Sequence, residues 1–314
     1  MRLERPIDLV APAERLAVFR IATTGFTLGY LLVRGPVFLA LGDRSSTDFD
    51  GAGLLRLLAE PPGDALITTV WVLAALSGVA TAAGWRHRLS AIAFALCVGF
   101  LTMLRSSWGQ LLHFENLMAL FAVVVACAPA ADAWSLDARR RQDRGGAEPV
   151  PDARYGHPLL VAAWIVVATY VIAGIAKLRY GGVDWLDGDT LRNHIASAAA
   201  RLDLLGGDAA PFAELAVRSG PVLTAAAFVT VALELGAPLA LLDRRLRTGW
   251  VLATWGMHVG ILATMAIGFP SPLFGVAFLP FFRSEQAVER GRSWWRTRRA
   301  PDFSTATVTS GSRR

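Results

Sequence analysis

"PLLVAAWIVVATYVIAGIAKL", residues 158–178, carries a single charged side chain, Lys177, in its twenty-one positions. A helix needs about twenty apolar residues to cross roughly 30 Å of hydrocarbon. Lipid cannot hydrogen-bond a bare backbone, so a run of this kind is read as a spanning helix. The fold then depends on how many such runs there are. By length and apolar character, eight segments stand out, at roughly 16–41, 66–85, 89–106, 111–131, 158–178, 220–242, 247–268 and 270–283. The last is short and carries Pro270, Pro272 and Pro280, so it is read as re-entrant or partly spanning. The expected fold is all-α: a polytopic transmembrane helical bundle of about eight spans.

Composition agrees. Of 314 residues, 54% are hydrophobic and 18% charged, whereas soluble domains carry about 25% charged residues. The net charge of +6 sits in loops beside apolar runs, which fits topology and not nucleic acid. Cys97 and Cys127 lie inside apolar runs and read as small buried hydrophobes. The first fifteen residues mix arginines with glutamates, and the run after them is too long for a signal-peptide core. There is no CxxC, HExxH, P-loop or GxGxxG, and the five histidines are scattered, so no metal is expected.

Loop charges set an orientation. "WRHR" (85–88), the linker bearing Arg139, Arg140, Arg141, Arg144 and Arg154, and "DRRLR" (243–247) are basic. Residues 43–64 hold five acids against two arginines, and 179–219 hold six against four. The positive-inside rule then places the basic loops, the N-terminus (1–15) and the basic tail (286–314) in the cytoplasm of a multi-pass cell-membrane protein. The tail, rich in Ser, Thr and Arg from Asp302, is expected to be disordered. The longest outward loop contains "TLRNHIASAAARLDLL", which spaces Leu191, Ile195, Leu202 and Leu205 along one face of a surface amphipathic helix. "APFAELAVRSG" reads as a second short helix.

A charge inside a span costs roughly 2.5–3.5 kcal/mol on insertion scales, so each one needs a reason. Lys177 closes its run at the outer end and is open to two readings: a snorkelling cation or a functional amine. His113, Glu115 and Asn116 begin the fourth run at the same level, with Arg34 and Arg105 near the outer ends of two others. Deeper, Glu234 and His258 lie at matching depth and are expected to pair, with Tyr170 close by. Arg20, near an inner end, reads as a snorkelling or lipid-contacting side chain.

Continuing past Lys177, the chain reads "YVIAGIAKLRYGGVDWLDGDTL". Its Tyr170, Ala173, Gly174, Lys177, Leu178, Trp185 and Gly188 resemble the motif Tyr-x-x-Ala-Gly-x-x-Lys-Leu … Trp-x-x-Gly of the vitamin K-dependent gamma-carboxylase family in its broad bacterial form, the HTTM domain. Other pieces fall in the same order. "FRIATTGFTLGYLL" resembles the opening helix with its arginine, Arg20. "SSWGQLLHFENLMAL" and "CAPAADAWSLDA" place Trp108, His113, Asn116, Asp132 and Asp137. "ELGAPLALL" and "MHVGILATMAIGFPSPLFGVAFLPFF" match the late helices, with Glu234 and His258. The resemblance spans about 15–285, and the domain is expected over 16–285, without the animal enzyme's large soluble C-terminal domain.

In the vitamin K enzyme the matching lysine is regarded as the base that deprotonates vitamin K hydroquinone. Reaction with oxygen then yields a strong base, which takes a glutamate proton so that the carbanion captures carbon dioxide. The resemblance thus implies Lys177 and His113 as catalytic residues, and Tyr170, Trp185, Glu234 and His258 around a reduced quinone. Oxygen and carbon dioxide would be co-substrates, and the bilayer and an exported peptide would be partners. A carboxylase-like enzyme with linked quinol oxidation is one function. The alternatives are a non-enzymatic maturation or immunity factor for an exported peptide, and a small-molecule transporter.

Overall fold

The computed structural model describes residues 9–110 and 113–299, and these are helical, with a single isolated β-bridge between Ala11 and Asp152. The helices are α1 (Ala13–Val33), α2 (Gly35–Leu39), α3 (Asp64–Ala83), α4 (His87–Arg105), α5 (His113–Cys127), α6 (Leu136–Asp143) and α7 (Ala153–Gly181). They continue with α8 (Asp189–Leu204), α9 (Ala213–Arg218), α10 (Gly220–Leu235), α11 (Arg244–Met265), α12 (Pro270–Leu273) and α13 (Ser284–Arg299). Among the described residues, four helical stretches are long and apolar enough to cross a membrane: Ala13–Val33, Asp64–Ala83, His87–Arg105 and Ala153–Trp185. α5 and α10 are shorter apolar helices. The segment from 270 is broken into α12 and a 3-10 turn at Val276–Phe281, as its three prolines require.

The outer surface explains where the apolar excess goes. Val72, Leu73, Leu76 and Val79 on α3, Ile172 and Ile175 on α7, and Phe228 and Val229 on α10 are all exposed. Contiguous apolar faces of this kind are foreign to soluble monomers and suit lipid contact. Inside, one core joins α1, α5, α7 and α11 with the turn at Val276–Phe281, through Phe19, Phe121, Tyr155, Trp250 and Phe281. A second joins α1, α2, α3 and α4 around Phe38, Ile67, Phe94 and Leu101.

The helix ends around the turn after α5 and the starts of α7 and α11 are held by caps. Asp137 accepts from the backbone N–H of Arg86 and His87 at the start of α4, and Ser135 caps α6 through Ala138 N–H. Asp152 and Asp243 cap α7 and α11. Arg20 does not snorkel. It is fully buried, donating to the carbonyls of Ala130 (2.5 Å), Ala133 (3.4 Å) and Trp134 (2.7 Å) in the turn after α5. That turn leaves backbone acceptors inside the protein, and a long cation with five donors satisfies several at once. Arg15 forms a buried two-pronged pair with Glu285, tying α1 to α13.

Several expectations change. Residues 284–299 form α13, so the first part of the expected disordered tail is helix; residues 300–314, like 1–8 of the N-terminal segment, lie outside the described residues. Cys127 is exposed and Cys97 half-buried. The amphipathic helix exists as α8, but it turns Ile195 and Leu191 into a small core with α9, α10 and Met265. Leu205 caps α8 and is exposed. The second short helix is present as α9.

Arg20→Met should lower the thermal stability of the detergent-solubilised protein by on the order of 2–4 kcal/mol, because buried carbonyls lose their donors. Arg20→Lys should recover only part of it, since one ammonium cannot reach all three. An unchanged unfolding temperature in Arg20→Met would return Arg20 to a lipid-facing role.

Candidate functional site

The motif around Lys177 is built by close approach to α10. A Cβ on Gly174 would come within 2.9 Å of the Leu235 side chain and 3.1 Å of Glu234 Cβ. One on Gly188 would come within 2.6 Å of the backbone nitrogen of Thr224. Gly188 also has φ +91°, a conformation that suits glycine. Thr224 Oγ1 donates to the Asp187 carbonyl at 2.6 Å and locks the loop to α10. The two glycines therefore let α7 and the loop after it lie against one helix, with Lys177 between them. Gly182, φ +61°, turns the chain so that Trp185 swings back over the lysine.

Two polar pairs result. Lys177 Nζ donates to Glu234 Oε1 at 2.6 Å, with side chains 21% and 6% exposed. Lys177 Nζ also lies 5.4 Å from the centre of the Trp185 ring, a cation–π contact. About two turns deeper on α7, Tyr170 Oη lies 2.9 Å from His258 Nε2 of α11. Trp250 packs edge-on against Tyr170 at 5.2 Å, and Phe269 lies 4.9 Å from the His258 ring. The expected Glu234–His258 pair is therefore replaced by two others, Glu234 with Lys177 and His258 with Tyr170. Depth along the spans could match the residues, but the rotation of α10 and α11 about their axes chose the partners.

Three buried polar atoms around these pairs lack a protein partner: Glu234 Oε2, His258 Nδ1 and Trp185 Nε1. Thr254 Oγ1, one turn from His258 on α11, is a fourth. Buried polar atoms are usually satisfied, so these four are open to hydrogen bonds from a ligand, as are Arg20 Nε, Thr81 Oγ1 and both His87 ring nitrogens elsewhere in the molecule.

His113 stands at the start of α5 and is exposed; its ring is 5.6 Å from Phe269. Its connection to the pairs runs through that phenylalanine, which meets both histidines. The other charges expected at this level form a separate cluster. Arg105 and Tyr30 both donate to Glu115 Oε1, and Arg105 also donates to Tyr30 Oη at 2.6 Å. Arg105 lies over the Phe38 ring. Sequence reading missed Tyr30 as part of this cluster, and Trp250, Phe269 and His194 as neighbours of the deeper site. His194 stacks on Trp185 from α8 at 5.5 Å. Aromatic residues in an apolar chain carry no sequence signal for such contacts.

The HTTM domain profile matches residues 11–286. The chain belongs to the HTTM family. No curated protein and no solved structure matches it. The HTTM match takes in both ends of the molecule. At one end Arg20, Asp132, Ser135 and Asp137 are architectural: Asp132 accepts from Arg141 at 2.8 Å and from Tyr155 Oη at 2.9 Å. At the other end Tyr170, Lys177, Trp185, Glu234 and His258 form the paired cluster.

In a double-mutant cycle on thermal stability, Lys177→Met with Glu234→Gln should show a coupling of roughly 1–3 kcal/mol. The coupling of Glu234→Gln with His258→Leu should be smaller. A larger Glu234–His258 coupling would restore the pairing that depth alone suggested.

Proposed function

We propose that this HTTM protein is a membrane enzyme that uses a reduced quinone at the Lys177 site to modify an exported peptide or small substrate. The observation that carries the reading is the Lys177–Glu234 pair at 2.6 Å beside three buried polar atoms without partners. An amphiphilic hydroquinone fits that donor and acceptor set: Glu234 Oε2 accepts, Trp185 Nε1 donates, His258 Nδ1 does either, and Trp250 and Phe269 supply apolar walls. When bound, a reduced quinone would supply reducing equivalents toward oxygen, with carbon dioxide as co-substrate in a carboxylase-like reaction. The protein's own part is to orient the ring and to take a proton at Lys177 Nζ. His113 would act at the exposed rim, beyond Phe269.

The reading includes a topology. The chain would cross the cell membrane about eight times, with the termini and basic loops cytoplasmic, and Lys177 would face the outer side beneath α8. With Cys97 and Cys127 replaced by serine, Ala196→Cys on α8 should react with an impermeant thiol reagent added to intact cells. Gln142→Cys should not. The opposite pattern would reject the outward-facing site.

A non-enzymatic maturation or immunity factor is the second reading, favoured by the same ion pair taken as a lock between α7 and α10. Lys177→Arg separates the two. Arginine can keep the pair with Glu234 but stays protonated at any workable pH. Under the enzyme reading the variant accumulates normally and fails to complement deletion of the gene. Full complementation would remove the base role and leave the helix lock.

A further inference from the structure

The described residues contain two ion pairs between helices at the outer level, and they differ in two chemical respects. Glu115 is paired with an arginine and receives two donors on Oε1, from Arg105 and Tyr30. Glu234 is paired with a lysine and receives one donor, Lys177 Nζ. Both carboxylates are buried, and both leave Oε2 without a partner. The contrast therefore lies in the cation and in the number of donors. An arginine does not give up its proton, so Arg105 cannot pass one to Glu115. A lysine can give up its proton, and a 2.6 Å N–H···O contact is short enough to pass it directly.

We infer that Lys177 and Glu234 act as one proton-exchanging unit, in which Glu234 holds the proton while Lys177 is a free amine. The N–H bond at Nζ breaks and an O–H bond at Oε1 forms. A cation and an anion become a neutral amine and a neutral acid, and no electron moves. Two features of the surroundings act on the shared proton in opposite directions. The Trp185 ring favours the ammonium. The buried position of Glu234, with one donor, gives little support to the carboxylate. The other titratable groups around the pair are Tyr170 on α7 and His258 on α11, which are bonded to each other, and His194 on α8, which lies against Trp185. None of these supplies Glu234 with a second hydrogen bond. The use of the unit rests on the enzyme reading above, because a base held as an ammonium by a fixed carboxylate could not accept a proton.

Dicyclohexylcarbodiimide tests this without any substrate, since it is lipid-soluble and reacts with protonated carboxyl groups. Full-length protein in proteoliposomes is treated at neutral pH, and adducts are quantified by peptide mass spectrometry. Glu234 should be labelled and Glu115 should not, which makes Glu115 an internal reference. Lys177→Arg should lower Glu234 labelling by about ten-fold or more, because the guanidinium cannot release its proton. Lys177→Met should keep or raise labelling. Labelling of Glu234 in Lys177→Met but not in the wild type would show a fixed ion pair and overturn the inference. So would an arginine variant labelled like the wild type. An arginine variant that loses labelling yet complements the deletion supports the exchange while removing the enzymatic reading, so the two can fail separately.

Discussion

A charge buried between helices in a lipid-facing protein must be compensated by other groups of the protein, and this requirement arranges the Lys177 end of the molecule. Lys177 is acceptable where it is because Glu234 comes to 2.6 Å from the facing helix. Removing one member of such a pair leaves the other uncompensated, which typically costs roughly 3–5 kcal/mol. The approach itself depends on having no side chain at Gly174, where a Cβ would meet Glu234 and Leu235. The motif is thus a contact surface for α10 as much as a set of reactive groups. Gly188 serves the same contact on the other side of Lys177, where it meets the backbone at Leu223 and Thr224.

The same rule operates at the Arg20 end with a different solution. Arg20 has no hydrogen bond to a carboxylate; its charge is spread over three carbonyls of the turn after α5. That turn also carries Asp132, which collects Arg141 and Tyr155, and leads to Ser135 and Asp137, which cap α6 and α4. One short stretch therefore organises the ends of α1, α4, α6 and α7 on that side of the molecule.

The Lys177 end itself is heterogeneous. The Arg105–Glu115–Tyr30 cluster ties α1, α4 and α5 together with a cation that does not deprotonate. The lysine cluster joins α7, α10 and α11 and leaves Glu234 Oε2, His258 Nδ1 and Thr254 Oγ1 unsatisfied. Phe269 lies between the two, touching His113 on the α5 side and His258 on the α11 side. Its backbone is irregular between α11 and α12, a form tolerated at membrane depth only against protein or a polar cavity.

Hydropathy alone determined that the chain is helical and carries membrane-length segments, because the cost of an unpaired backbone in lipid leaves few other choices. The motif order carried the family, and depth counting placed Tyr170, Glu234 and His258 near one another, since rise per residue is fixed. The identity of the partners was not legible. Which of Lys177, Tyr170 and His258 meets Glu234 depends on how α10 and α11 are rotated, and the contacts of Gly174 and Gly188 bear on α10. Arg20 and Ile195 were read toward lipid or the membrane surface and face protein instead, because a one-dimensional apolar run does not say which side another helix will cover. Sequence fixes what must be buried or paired, and only the tertiary structure decides with whom.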